Sequence, residues 1–221
     1  MAKVPAAEPR RLTPKGEATR ARLIELAADV FANEGYGAAS IRDLADRSGL
    51  SSGAIYGTFR GKADLLAEAV DTVIASDEAS LPSSVIEEMS LPDIDAYQYQ
   101  NIIQRDRFRA LLLEAAVAAR TDPDVKERLN EAVAPHIEMA TDAHIEWQER
   151  AGVDRDLDMR ALVLLLWSAD LGLAILDAMG FERPDPHTWA QLMRQLLKSL
   201  ETPGADPGAP TPRPTKRRSA R

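Results

Sequence analysis

Proline placement constrains this 221-residue chain more than any other feature. All 14 prolines fall outside three long intervals, Lys15–Leu81, Asp93–Asp122 and His136–Arg183. The pyrrolidine ring removes a backbone donor and clashes with the preceding turn, so helix interiors reject it. Long helices are therefore expected inside those intervals. Five prolines crowd into Pro203–Pro214 beside Gly204 and Gly208, a composition that cannot build a core. Residues 202–221, ending in Lys216-Arg217-Arg218 and Arg221, are expected to be a disordered basic tail, and residues 1–12 a disordered arm.

Periodicity says which helices. Leu23, Ile24, Ala27, Ala28 and Phe31 recur at helical spacing and stop at Gly35; Leu65, Leu66, Ala69, Val70 and Val73 repeat the pattern after Lys62. Phe108, Leu111, Leu112, Ala115 and Ala119 form a face ending at Asp122-Pro123. Val133, Ile137, Ala140, His144, Trp147 and Ala151 mark a helix closed by Gly152, with Pro135 at its start or at a kink. Leu157–Met179 is apolar almost all round, and Trp189, Leu192, Met193, Leu196, Leu197 and Leu200 stripe a last helix. Nothing alternates with period two, so the chain is expected to be all-α with eight or nine helices. Leu81–Ala96, holding Pro82 and Pro92, reads as a long connection able to gate a pocket, with Tyr97, Tyr99 and Gln100 at the rim.

Composition narrows the function. The chain has no cysteine, which excludes disulfides, thiolate catalysis and cysteine-held metals, and a reducing cytoplasmic location is expected. Only His136, His144 and His187 remain as soft ligands, so no metal and no cofactor is expected. The longest apolar run, Ala161–Trp167, is far shorter than the roughly 18 residues of a membrane span, and no membrane partner is expected. Residues 1–13 lack the apolar stretch of a secretory signal. Net charge is −8, but it is unevenly spread: residues 1–62 carry +3, residues 63–201 carry −15 and residues 202–221 carry +4. A basic head and tail flanking an acidic body keep nucleic acid open as a partner.

Six of the 12 glycines lie between Gly35 and Gly61, where short helices need tight stops. Ser40 can cap a helix over Ile41–Arg47, Gly49 can turn the chain, and Ser51 can cap a second short helix over Ser52–Thr58. Ile41, Leu44, Leu50, Ile55 and Phe59 supply apolar contacts between the two, and Ala45 is small enough for close approach. This pattern fits a helix-turn-helix unit, whose second helix can enter a major groove, or an ordinary helical hairpin. Ser52, Gly53, Ala54, Gly57 and Thr58 are small or hydroxylic, as suits close approach to base edges. Tyr56 and Lys62 suit phosphate oxygens.

Ala21–Val70 resembles the DNA-binding domain of the TetR family of bacterial transcriptional regulators. The matching residues are Ile24, Ala27, Phe31, Gly35-Tyr36, Ser40–Ala45, Gly49–Tyr56, Phe59, Lys62, Leu65 and Leu66. Thr58 departs from the histidine usual in the family. The resemblance implies phosphate contacts by Ser40, Tyr56 and Lys62, with Arg42 near the backbone. It also implies a groove-facing set of Ser51, Ser52, Gly53, Ala54, Gly57 and Thr58. Arg10, Arg11, Lys15, Arg20 and Arg22 can add a basic patch. It further implies an N-terminal three-helix DNA-binding domain, set at 13–62, and a C-terminal helical ligand-binding and dimerisation domain, set at 63–201.

One such motif spans only about 4–6 base pairs, so a homodimer on a two-fold DNA site is expected. The expected dimer face comprises Leu162, Leu165, Leu166, Ala169, Gly172, Leu173, Leu176, Trp189, Leu192 and Leu196, where apolar circumference exceeds one core's needs. An unknown small-molecule effector is expected among Phe108, Leu112, Glu114, Met139, His144, Trp147 and Trp167. The function expected is a regulator, as a repressor released from a palindromic operator, and not an enzyme, since no nucleophile or acid–base pair carries motif-level partners. The competing reading is a helical protein-interaction module without specific DNA binding.

Overall fold

The computed structural model of the chain describes residues 13–78, 89–104 and 106–202. Every regular element among them is a helix: α1 (Pro14–Glu34), α2 (Ile41–Ser48), α3 (Ser52–Tyr56), α4 (Lys62–Glu78), α5 (Leu91–Gln104), α6 (Asp106–Ala119), α7 (Pro123–Ala151), α8 (Met159–Ala178) and α9 (Pro186–Lys198). The all-α expectation holds, with nine helices among the described residues. The arm 1–12, the tail beyond Thr202 and residues 81–88 of the connection lie outside the described residues, as do Arg10, Arg11, Lys216, Arg217, Arg218 and Arg221.

Side-chain oxygens start the helices. Thr13 accepts from the Gly16 amide at 3.2 Å and Pro14 fills the first turn of α1. Asp158 accepts from Arg160 and Ala161 at the head of α8, and Asp185 from Thr188 at the head of α9. Such caps satisfy amides that have no partner within the helix and are worth ~1 kcal/mol each.

Two boundaries differ from the sequence reading. α7 begins at Pro123 and runs unbroken through Pro135. Asp122 starts it, accepting from the amides of Asp124 (3.0 Å) and Val125 (3.4 Å), while Pro135 sits on an exposed face where the single lost hydrogen bond is cheap. The connection ends at Ser90, because Pro92 stands in the first turn of α5, where a missing amide costs nothing. Tyr97, Tyr99 and Gln100 are therefore helical.

The chain folds as two compact units, Met1–Thr72 with Glu114–Ala132, and Val73–Leu113 with Val133–Arg221. They do not coincide with the segments 13–62 and 63–201, since Glu114–Ala132 joins the first. In that unit Phe31, Leu44, Ile55, Phe59, Leu65 and Leu66 are sealed from solvent, α1 packs on α2, and α2 on α3. In the second unit α9 lies along α5, α8 meets α5, and Tyr99, Trp147, Val153, Met159, Leu166, Met193 and Leu197 form a core.

By length and composition α8 is apolar enough to cross a membrane, with a mean hydropathy of 1.9. Ser168 and Asp170 interrupt the apolar run yet leave the mean high, which is how the 20-residue helix escapes a reading based on unbroken runs. The same composition also suits a helix that packs on both sides in a soluble assembly.

Candidate nucleic-acid interface

The segment from Ser40 to Phe59 is held by local chemistry. Ser40 and Asp43 form a capping box: the Asp43 amide donates to Ser40 Oγ at 3.1 Å, and the Ser40 amide to Asp43 Oδ2 at 3.2 Å. The Ser40 hydroxyl also donates to Asp43 Oδ2 at 2.5 Å, which holds the Asp43 carboxyl below its ordinary range. Gly49 closes α2 with φ of 70°, a left-handed conformation open to glycine at little cost, and the Leu50 amide returns to the Ala45 carbonyl at 3.1 Å. Ser51 then accepts from the Ala54 amide at 3.1 Å and starts α3.

α3 has one buried residue, Ile55, and Phe59 follows it into the core. The other face is open: Gly53, Ala54, Gly57 and Thr58 are exposed, Ser52 is half-buried, and Tyr56 is 58% exposed. A Cβ on Gly53 would find only Ser51 Oγ, at 3.8 Å, and one on Gly57 would meet ordinary contacts at 3.5 Å. The protein itself therefore does not require these glycines for space. Arg42 is exposed, whereas Arg47 is clamped by Glu34 through both guanidinium nitrogens and holds the Glu34 carboxyl low. Beside α3, the start of α1 and the residues Leu50, Ala54 and Thr58 line an open groove that includes Lys15 and Arg20.

Two expected phosphate contacts are used internally. The Ser40 hydroxyl is engaged by Asp43. The Lys62 ammonium turns inward, donating to the carbonyls of Tyr36 (2.8 Å) and Ala39 (2.9 Å) while lying 4.0 Å from the Tyr36 ring centre. Burial lowers the Lys62 pKa, with Asp122 opposing, and pushes the Tyr36 phenol up to about 12, helped by Asp122 and Asp124. The Tyr36 amide donates to Glu114 Oε2 at 3.0 Å. Glu114, expected in an effector pocket, thus works in the first unit. Sequence reasoning missed this role because Tyr36 and Glu114 are 78 positions apart.

In the second unit, His144 and Trp167 line one cavity together with Asp95, Gln98, Tyr99 and Asp170. The other pocket candidates are placed elsewhere: Trp147 lies in the core with Nε1 donating to Glu201 at 3.0 Å, Met139 is 54% exposed, and Phe108 is buried away from the cavity lining, which also omits Leu112. His144 Nδ1 donates to the Ala140 carbonyl at 2.8 Å, and Nε2 lies 3.2 Å from Asp95 Oδ2, close enough for charge pairing but poorly aligned as a hydrogen bond. Burial opposes the imidazolium, but Asp95 outweighs it, so the His144 pKa is raised. Burial and then the charge of Asp95 push the Asp170 carboxyl up to about 8, and the Tyr99 phenol is raised by burial and by both carboxyls. Tyr99, expected at the pocket rim, lines the cavity, whereas Asp95 escapes the sequence reading because it falls within the connection Leu81–Ala96. Asp170, a carboxyl in the middle of an apolar helix, carries the available signal.

The expected dimer residues divide. Leu165, Leu176, Leu192 and Leu196 are exposed, and Leu162, Ala169, Gly172 and Leu173 half-buried. An added Cβ on Gly172 meets nothing within 4 Å. Leu166 instead lies in the core and Trp189 packs against it, since the helical period turns both toward α5.

The description of bacterial regulatory proteins of the tetR family matches residues 23–69, the segment from late α1 into α4. The chain is 31% identical over 139 residues to the HTH-type transcriptional repressor Rv3405c of Mycobacterium tuberculosis H37Rv, covering 57% of this chain and 72% of that protein. Its fold is similar to that of a Rhodococcus sp. protein assigned to the TetR-family transcriptional regulators, with a TM-score of 0.72, 17% identity, and 84% of this chain and 100% of that one covered. It is also similar to the transcriptional regulator FadR of Bacillus subtilis solved with stearoyl-CoA, with a TM-score of 0.60, 17% identity, and 82% and 99% covered. At such identities the structural likeness speaks to the fold, while the repressor of M. tuberculosis and the matched segment speak to kinship. A capped helix-turn-helix with an open second helix, carried on this all-α fold, identifies the chain as a member of the TetR family of bacterial regulatory proteins, a DNA-binding transcriptional regulator.

Proposed function

We propose that the protein is a cytoplasmic, homodimeric repressor that binds an inverted-repeat operator through α3 and leaves it when a small molecule occupies the second unit. One observation carries this reading: α3 is anchored by Ile55 alone and presents Gly53, Ala54, Gly57 and Thr58 outward, with no steric need for the glycines within the protein. Those residues lie against base edges, with Ser51 and Ser52 beside them. Tyr56 and Arg42 take phosphates. Ser40 and Lys62 act by fixing the helices that carry the others.

A stripe of exposed Leu165 and Leu176 with half-buried Ala169 and Gly172 on α8, continued by exposed Leu192 and Leu196 on α9, supports the dimer. These positions on α8 follow helical spacing along one face, and Gly172 lets a second helix approach closely. The cavity between α5, α7 and α8 supports effector control, as does the stearoyl-CoA held by the similar B. subtilis fold.

The test is fluorescence anisotropy on DNA flanking the protein's own gene, with sedimentation to establish the dimer. An inverted repeat bound at least ~10³-fold tighter than scrambled DNA, with log affinity falling linearly against log salt, is the expected result. Equal affinity for both sequences would overturn the proposal.

A further inference from the structure

The geometry points to a cationic effector: the cavity of the second unit is a receptor for a small ammonium head group, held by Asp95 and Asp170 and walled by Tyr99 and Trp167. This rests on reading the second unit as the effector unit and adds the ligand's chemical class. The cavity, of about 70 Å³, suits a few heavy atoms. Asp170 Oδ1 is fully buried with no hydrogen-bond partner among the described residues, a costly arrangement for a carboxyl unless something supplies donors. Asp95 is 8% exposed, and its counter-charge among the described residues is His144, met through one poorly aligned contact. Tyr99 is 4% exposed and lines the same cavity. An alkylammonium brings donors to these oxygens and places its charge against aromatic faces, the arrangement in which cation–π attraction is strongest once water is excluded. An anionic ligand would instead bring negative charge beside two acidic side chains and offer no donor to Asp170 Oδ1.

Four titratable groups face the site: Asp95 and Tyr99 from α5, His144 from α7 and Asp170 from α8. A bound cation favours ionised Asp170 and neutral His144, so binding releases protons and tightens as pH rises, by about tenfold per unit for each proton released. Alkylammonium ions, with a pKa near that of lysine at about 10.4, stay charged throughout.

The experiment titrates n-propylammonium, 1-propanol and propionate into the full chain without DNA, between pH 6 and 8. It follows tryptophan fluorescence and the melting temperature. Saturable binding of n-propylammonium alone is expected, strengthening with pH and weakened tenfold or more by Asp170→Asn. Asp95→Asn, which leaves Asp170 in place, is expected to weaken it as well. A response to 1-propanol or propionate equal to that of the ammonium, or unaltered ammonium binding in both variants, would overturn the inference. Operator affinity measured without any amine is a separate reading, so loss of the ammonium site would leave the DNA-binding proposal standing.

Discussion

Lys62 Nζ donates to the carbonyl oxygen of Tyr36 at 2.8 Å while resting 4.0 Å from the centre of the same residue's ring. The Tyr36 amide in turn donates to Glu114. Three charged or polar groups thereby fix the turn after α1 to the first residue of α4, just ahead of the capping box that starts α2. Lysine at this position is a brace within the protein.

Lys62→Met is accordingly expected to lower the stability of the first unit by about 1–3 kcal/mol, the range for lost hydrogen bonds to a charged group. Thermal unfolding checks the loss. The salt slope of operator binding should remain as in the parent, whereas a fall of about one in the slope would restore a phosphate contact to this residue.

Gly53→Leu separates folding from recognition. Its Cβ meets only Ser51 Oγ, at an ordinary contact distance of 3.8 Å, so the melting temperature should hold or rise slightly, glycine being a poor helix former. Specific operator affinity should fall at least 100-fold, because the added bulk stands where a base edge must come. A variant that melts early and binds normally would contradict this arrangement.

Tyr56→Phe removes one exposed hydroxyl and nothing from the core. Stability should be unaltered. Affinity should drop several-fold, about 1 kcal/mol, on operator and scrambled DNA alike, as expected for a phosphate contact.

Gly49→Ala forces a side chain onto a backbone with φ of 70° and should cost about 1–2 kcal/mol. Denaturant titration should show a lower midpoint with an unchanged slope.

Asp170 sets the pH response of the second unit. Unfolded, its carboxyl loses a proton near the ordinary value of 3.8; folded, it keeps that proton until about pH 8. The folded form therefore holds more protons between those values, and stability falls as pH rises through that window. The raised pKa of His144 acts with the same sign: its contribution is full below 6.5 and is lost as pH climbs past the folded value. Asp170→Asn should melt higher than the parent at pH 8 and flatten the decline, as followed by melting temperature against pH.

Much of the helical framework was legible from proline and glycine, because both act through the local backbone. Gly35, Gly49 and Gly152 end their helices at positive φ where the periodic apolar residues stop. Reading Pro135 as a helix start fails for the same reason: a local rule marks a boundary, but inside a 29-residue helix one exposed missing donor is tolerated. The exposed face of α3 could be read from its small residues. The inward turn of Lys62 could not, since it depends on carbonyls 23 and 26 positions earlier. The same holds for Asp95 and His144, which share a cavity though 49 positions apart.

The brevity of α3 has a genetic consequence. Five residues cannot hold a helix in water on their own, where nucleation alone needs longer segments. The reading element exists only while Leu44, Ile55 and Phe59 stay packed beneath it. A selection for derepressed strains should therefore recover substitutions at these hidden positions about as readily as at Gly53 or Tyr56, and lowering the growth temperature should rescue the former class while leaving the latter defective.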